Sequence, residues 1–141
     1  MRVLAIDHGL ARCGCAISDP TGTLVRPLAP IEPPEVAAVA RVVAAERAEA
    51  VVVGLPLSLD GEEREQAQLV RDFCRELESQ VEVPVETWDE RLTTVMAGAS
   101  RRSGARAHED SLAAAHLLES FLARAERLAS ERQLADREET T

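Results

Sequence analysis

Four acidic residues lie where predicted strands end or where the last predicted helix begins: Asp7, Asp89, Glu90 and Asp110. Asp7 directly follows a short apolar run, and the adjacent pair Asp89 and Glu90 follows a second strand-like run. Because the ends of distant elements can meet at one edge of a sheet, we expect the fold to assemble these side chains into a single site. Several carboxylates without an obvious nucleophile are typical of Mg²⁺ or Mn²⁺ binding and of phosphate chemistry.

A divalent cation would also relieve the electrostatic repulsion within such a site. Carboxylates that are held close together repel one another, and this raises their pKa values unless a cation neutralises them. One or two bound ions can activate water and stabilise the charge that develops on a phosphodiester. The residues alone therefore predict metal-dependent phosphoryl chemistry, with Mg²⁺ or Mn²⁺ as the cofactor.

The sequence orients these acidic side chains to different degrees. Asp110 shares a helical spacing with Leu117 and Phe121, which predicts that its carboxylate lies on the stripe that faces the sheet. For Asp89 and Glu90 the phase of the preceding strand decides which side chain faces the site, and the sequence leaves that choice open. We predict Asp7, Glu90 and Asp110 as the catalytic and metal-binding residues.

Hydrophobic patterning supplies the elements that must position these residues. It predicts strands at 2–7, 13–18, 24–31, 50–54 and 84–88 and helices at 35–48, 62–79 and 110–129. The link between the first two strands is too short for a helical crossover, so they must pair as an antiparallel hairpin. The order βββαβαβα predicts an α/β fold with a five-stranded mixed sheet and helices on both faces. We expect one domain at residues 1–129, followed by a charged tail at 130–141 that is frayed or extends the last helix.

The net charge of the chain and the distribution of that charge lead to opposite expectations about a nucleic-acid partner. The net charge of the 141 residues is -9, which counts against nucleic acid. However, the stretch from Arg91 to His108 contains no acid and carries arginine at 101, 102 and 106. Arginine suits bidentate contacts with phosphate. We therefore predict that Arg101, Arg102 and Arg106 border the acidic site and contact backbone phosphates.

Cysteine use and hydropathy exclude several other classes of protein. The three cysteines include no CxxC pair, which argues against a disulfide framework and against a zinc site. No stretch approaches a transmembrane span, and nothing reads as a signal peptide, so a cytoplasmic protein without a membrane partner is expected. His116 is predicted to be a structural residue of the last helix, and His108 a solvated loop residue.

Four ordered motifs also carry a resemblance to a known family. They are Asp-x-Gly-x-x-Arg-x-Gly-x-Ala-x-Ser-Asp at 7–19, Val-Val-Gly-Leu-Pro-Leu-x-x-Asp-Gly at 52–61, Trp-Asp-Glu-Arg-Leu-Thr-Thr at 88–94, and Asp-Ser-x-Ala-Ala at 110–114 with Leu-Glu-Ser-Phe-Leu at 118–122. Together they resemble the YqgF/RuvX family of Holliday-junction-resolvase-like nucleases over residues 1–124. The chain departs from the family pattern at Ala11 and Ser58, where lysine and asparagine are usual, and in the lysine-rich run before Asp110, which is reduced to arginines here.

The resemblance implies an RNase H-like fold whose acidic site contains Asp7, the Asp89–Glu90 pair and Asp110. It also implies nuclease activity in the maturation of the 5′ end of pre-16S rRNA, with branched DNA as another proposed substrate. The expected nucleic-acid contacts are Arg12, Arg91, Arg101, Arg102 and Arg106.

Other functions compete with a metal-dependent nuclease. The acidic charge and the thinned basic run favour a non-catalytic nucleic-acid-binding or ribosome-assembly factor on the same fold, and a Holliday junction resolvase is a further alternative. An ATP-using kinase of the actin-like fold would need two such domains, which 141 residues cannot supply. The sequence leaves open whether the protein is a monomer or a dimer.

Overall fold

The computed structural model describes residues 1–57, 65–94 and 109–140, and its core is a five-stranded sheet. The strands are β1 (Val3–His8), β2 (Cys13–Ser18), β3 (Val25–Ile31), β4 (Ala50–Leu55) and β5 (Val85–Asp89). The helices are α1 (Val36–Ala45), α2 (Glu65–Gln80) and α3 (Leu112–Glu139), and 3₁₀ turns occupy Glu90–Leu92 and Glu109–Ser111. This order confirms the predicted βββαβαβα fold, with element ends within a few residues of those expected.

The sheet is mixed, and β1 lies at its centre. The strand order is β3-β2-β1-β4-β5, with β1 antiparallel to β2 and parallel to β4. The short loop between β1 and β2 permits only the antiparallel hairpin, whereas α1 and α2 provide the crossovers that the parallel strands require. Asp7 therefore lies near the end of the central strand, opposite Gly14 of β2.

Alternating side chains of β1 feed two hydrophobic layers, one on each face of the sheet. Leu4 and Ile6 are fully buried in the layer under α1 and α2, whereas Ala5 is buried in the layer under α3. By the same alternation Asp7 projects on the α3 face and His8 on the opposite face, where the His8 ring stacks against Phe73 of α2 with centroids 4.7 Å apart. This confirms that helices cover both faces, and it separates His8 from the acidic site.

Helix α3 begins slightly later than predicted, and of the two alternatives for the tail it takes the helical extension. It begins at Leu112, two residues after Asp110, and it continues to Glu139. The predicted tail is therefore helical through residue 139, because residues 112–139 contain neither glycine nor proline and are rich in strong helix formers. Its side chains are exposed on all sides from residue 123 onward. No helix in the described parts of the chain combines the length and apolar character needed to cross a membrane.

Candidate active site

Two glycines, one on each strand beside Asp7, leave space on the α3 face of the sheet because they carry no side chain. Gly14 is the partner of Asp7 on β2, and Gly54 of β4 follows Val53, the partner of Ile6. A Cβ atom on Gly14 would lie 2.6 Å from the carbonyl oxygen of Asp110, and one on Gly54 would lie 2.8 Å from Oε1 of Glu90. A larger residue at position 14 would push against the Asp110 main chain, and one at position 54 would push against Glu90 and against Leu117, whose Cδ1 would lie 2.7 Å from the added Cβ. The sequence motifs contain both glycines, but their steric role becomes visible only in the folded chain.

Glu90 reaches Asp7 from the 3₁₀ turn that follows β5. Its half-buried side chain crosses Gly54, and its carboxyl group lies beside that of Asp7. Burial first, and then the negative charge of Asp7, raise the pKa of Glu90 to about 7. A raised pKa is expected when a buried carboxyl group lies beside a second one.

Asp89 has a different role from its neighbour. It caps the 3₁₀ turn by accepting a hydrogen bond of 3.0 Å from the backbone N–H of Arg91, and its carboxylate also accepts from the Arg91 guanidinium at 2.7 Å. The hydrogen bonds from Arg91 hold the pKa of Asp89 below its usual value. The strand phase that the sequence left open therefore places Glu90, rather than Asp89, beside Asp7.

The Asp110 side chain does not lie on the inward stripe that its spacing predicted. It is 56% exposed, and its Oδ2 accepts a hydrogen bond of 3.0 Å from Nη1 of Arg12. The reason is that Asp110 belongs to a 3₁₀ turn, which rotates further per residue than an α-helix and so shifts the phase of the stripe. Ser111 is the buried residue instead, and its Oγ accepts a hydrogen bond of 3.0 Å from the backbone N–H of Cys15.

A cleft of about 310 Å³ opens over the two paired carboxyl groups. It is lined by Asp7, Glu90, Thr93, Ala113, His116 and Leu117. His116 was predicted to be purely structural, but it lines this cleft one helical turn after Ala113. Within residues 1–57, 65–94 and 109–140, no group of three or more His, Cys, Asp or Glu side chains is arranged to hold a metal ion. The cleft therefore contains two of the three predicted acids, and Asp110 lies at its border with its carboxylate turned to Arg12.

The arginines predicted to contact phosphate fall into two groups. Arg12 bridges Glu32 and Asp110, and Arg91 lies on Asp89, so both have carboxylate partners in the absence of nucleic acid. Arg101, Arg102 and Arg106 lie outside the described residues, as does His108. Their role remains a prediction from the sequence.

The raised pKa of Glu90 predicts how the stability of the protein changes with pH. Folding raises the pKa of Glu90. The protonated group therefore stabilises the folded state when the pH lies below the pKa of Glu90 in the unfolded chain, and this stabilisation is lost as the pH rises through about 7. Glu90→Gln imitates the neutral acid, so its free energy of unfolding should equal that of the parent near pH 5 and exceed it near pH 8. Urea denaturation in EDTA at several pH values measures this, with the exposed Glu82→Gln as the control. If the stabilities of the parent and of Glu90→Gln changed with pH in parallel, the raised pKa of Glu90 would be wrong.

Comparisons with known proteins show the family to which this chain belongs. The sequence profile of the RuvX family, described as Holliday junction resolvase, matches residues 1–124. A protein of Rubrobacter xylanophilus named "Putative pre-16S rRNA nuclease" is 44% identical over 127 residues, covering 86% of this chain and 91% of the relative. A protein of the same name from Koribacter versatilis is 34% identical over 148 residues, covering 98% of this chain and 92% of the relative.

Solved structures share the fold at much lower identity. RuvC of Thermus thermophilus in complex with a Holliday junction substrate superposes with a TM-score of 0.53 at 22% identity, covering 88% of this chain and 95% of RuvC. The fowlpox virus Holliday junction resolvase superposes with a TM-score of 0.56 at 13% identity, covering 88% of this chain and 99% of the resolvase. These likenesses show the RNase H-like fold that the motifs predicted. The profile match and the identity to curated relatives go further, and they show that this chain belongs to the RuvX family.

Proposed function

We propose that this protein is a divalent-metal-dependent nuclease that hydrolyses phosphodiester bonds during maturation of the 5′ end of pre-16S rRNA. The observation that carries the proposal is the contact between the Asp7 and Glu90 carboxyl groups at the end of the central strand, inside an open cleft. Membership of the RuvX family and the name shared by the curated relatives support the same activity.

The residues present fit a hard divalent cation. Asp7 and Glu90 offer the oxygen donors that Mg²⁺ and Mn²⁺ prefer, and a cation would offset the charge of Asp7 that helps to raise the pKa of Glu90. Asp7 and Glu90 would hold the ion, and Asp110 would join them after its carboxylate leaves Arg12. When bound, such an ion supplies an activated water and neutralises charge on the phosphodiester.

The chain itself must position the nucleic acid. The open cleft admits a backbone phosphate, and Leu117 with Ala113 forms an apolar wall that limits water on the α3 side. Arg12 pairs with Asp110 and Arg91 with Asp89, and both guanidinium groups are partly exposed, so we assign them contacts with backbone phosphates. We assign the same role to Arg101, Arg102 and Arg106, which supply positive charge where the chain is otherwise acidic.

The proposal also specifies the substrate, for which pre-16S rRNA and branched DNA are the two candidates. The name of the curated relatives favours pre-16S rRNA, whereas the RuvC neighbour was solved in complex with a Holliday junction, a four-way DNA substrate. A resolvase would need two active sites related by two-fold symmetry, and a single chain can act on an RNA end without a partner. We therefore place rRNA first, in the cytoplasm where its precursor is processed.

The test is cleavage of both substrates under matched conditions. The protein is incubated with 5′-labelled pre-16S rRNA and with a labelled four-way DNA junction, each with Mn²⁺, Mg²⁺ or EDTA. We expect cleavage near the mature 5′ end of the RNA that requires the metal and that exceeds cleavage of the junction. Symmetric nicking of the junction at a higher rate would assign a resolvase instead.

A second candidate is a non-catalytic factor that binds pre-rRNA on the same fold. It is favoured by the separation of Asp110 from the other two acids, because no three ligating side chains come together in the part of the chain that the structure describes. Binding of the pre-rRNA without cleavage in any metal would support this function. Metal-dependent cleavage that is lost in Asp7→Asn would exclude it.

A further inference from the structure

Arg12 connects three segments that are far apart in the sequence. Its Nε lies 2.9 Å from Oε1 of Glu32, and its Nη1 lies 3.0 Å from Oδ2 of Asp110. Arg12 belongs to the loop between β1 and β2, whereas Glu32 directly follows β3, and Ile31 at the end of β3 pairs with Cys13. Glu32 thus holds the guanidinium from one side, and Asp110 occupies its other side.

The main chain of Asp110 is packed against the sheet, whereas its side chain is exposed and pairs with Arg12. The Asp110 carbonyl fills the space above Gly14, and the next residue, Ser111, accepts the hydrogen bond from Cys15. Gly14 is the cross-strand partner of Asp7, and paired Cα atoms in antiparallel strands lie roughly 5 Å apart. Rotation of the Asp110 side chain alone can therefore carry its carboxylate from Arg12 toward Asp7, without any movement of the backbone.

The ion pair that holds Asp110 is of a kind that exchanges partners readily. The Arg12 side chain is 45% exposed and that of Asp110 56% exposed, and ion pairs between exposed groups contribute little to stability. A phosphate diester is a strong competitor for a guanidinium, because the fork of N–H donors matches its oxygens. Glu32 pairs with Nε of Arg12, so an exchange at Nη1 does not require this second ion pair to break.

We propose that Arg12 is a positioning residue that keeps Asp110 apart from Asp7 and Glu90 until a nucleic-acid phosphate replaces Asp110 on its guanidinium. The proposal rests on the proposed function and adds a regulation of the same site. In the free protein Asp7 and Glu90 face a metal, and Asp110 joins them when substrate is bound. The third acid thus becomes available in response to the phosphate that is to be hydrolysed.

The first test is a double-mutant cycle measured without nucleic acid. Mn²⁺ is titrated by calorimetry into the parent, Arg12→Ala, Asp110→Asn and the double variant. Release of Asp110 in Arg12→Ala should raise Mn²⁺ affinity about tenfold, in the range seen when the partner of a metal ligand is changed. Asp110→Asn alone should change it less than twofold, and the tenfold gain should disappear in the double variant. Arg12→Lys, which retains a cation at this position, should behave like the parent.

The outcomes of the cycle separate positioning from a general effect of charge. An equal gain in both backgrounds would mean that Arg12 acts only by long-range repulsion of the cation, and this would overturn the proposal. A large loss of affinity in Asp110→Asn alone would also overturn it, because Asp110 would then be a ligand in the free protein. Both outcomes concern Mn²⁺ affinity and do not bear on whether the protein is a nuclease. Failure of this proposal can therefore be distinguished from failure of the proposed function.

The second test uses a labelled fragment of the pre-16S rRNA 5′ leader. Its affinity is measured by fluorescence anisotropy in EDTA and in Ca²⁺ for the parent and for Asp110→Asn. Since metal and nucleic acid must raise each other's affinity by the same factor, Ca²⁺ should strengthen RNA binding by the parent about tenfold and by Asp110→Asn less than twofold. If Ca²⁺ strengthened RNA binding by Asp110→Asn as much as by the parent, the proposed replacement of Asp110 by a phosphate on Arg12 would be wrong. A parent that binds no RNA would overturn the proposed function, and the phosphate exchange with it.

Discussion

Replacing Asp7 with Asn should abolish Mn²⁺-dependent cleavage and leave the folded protein at least as stable as the parent in EDTA. Asp7 lies at the centre of the site and contacts Glu90. A metal ion contributes several kcal/mol to the transition state of phosphodiester hydrolysis, so losing one of its ligands should lower the rate at least about a thousandfold. Stability should not fall, because the substitution removes one of two carboxyl groups that repel each other when both are ionised.

Thermal melts separate these two effects. Mn²⁺ at about a hundred times its dissociation constant should raise the parent melting temperature by roughly 5–10 °C, and Asp7→Asn should lose most of that gain. Asp72→Asn is the matched control, since Asp72 is an exposed carboxylate of α2 on the other side of the sheet. A parent that shows no shift up to millimolar Mn²⁺ would make the non-catalytic factor the preferred function.

Gly14→Ala should destabilise the protein by about 1–3 kcal/mol, the usual cost of adding volume to a packed interior, and should also lower cleavage. The added methyl would lie 2.6 Å from the Asp110 carbonyl oxygen, and this oxygen belongs to the main chain and cannot rotate away. The turn of residues 109–111 would have to move off the sheet. That movement would carry Asp110 away from the cleft and break the hydrogen bond between Ser111 and Cys15.

A double variant tests whether this displacement occurs. Ser111→Ala alone leaves the buried Cys15 N–H without its partner, which costs about 1–3 kcal/mol. If Gly14→Ala has already broken that hydrogen bond, the two losses in unfolding free energy should sum to more than the loss in the double variant. Strict additivity would mean that the turn stays in place, and the role assigned to Gly14 would then be wrong. Urea denaturation of all four proteins gives the comparison.

Membership of this family is compatible with the acidic composition of the chain because the charge is unevenly distributed. Many of the acids lie on exposed positions of α2 and of the C-terminal half of α3, away from the cleft. Arg12 and Arg91 are each paired with a carboxylate. Under the proposed function these carboxylates would exchange for backbone phosphates, so binding would not require a strongly positive surface.

The order of elements, the mixed sheet and the positions of the acids could be predicted from the sequence. These features depend on local information: the period of the apolar residues in each segment, and the length of each connection. The loop from residue 9 to residue 12 allows nothing but a hairpin, and the continuous apolar run of β4 is typical of a strand covered on both faces. The ordered motifs then placed Asp7, the Asp89–Glu90 pair and Asp110 in one family pattern before any contact was known.

Only the tertiary structure decided which side chains meet. The choice between Asp89 and Glu90 depends on the phase of β5 and on the 3₁₀ turn after it, and a shift of one residue exchanges the two faces of a strand. The direction of Asp110 depends on Arg12, which lies 98 residues away in the sequence. Gly14 and Gly54 matter because backbone and side chains from other segments occupy the space that a Cβ would fill. Such features arise from contacts between distant segments, and periodicity within one segment carries no information about them.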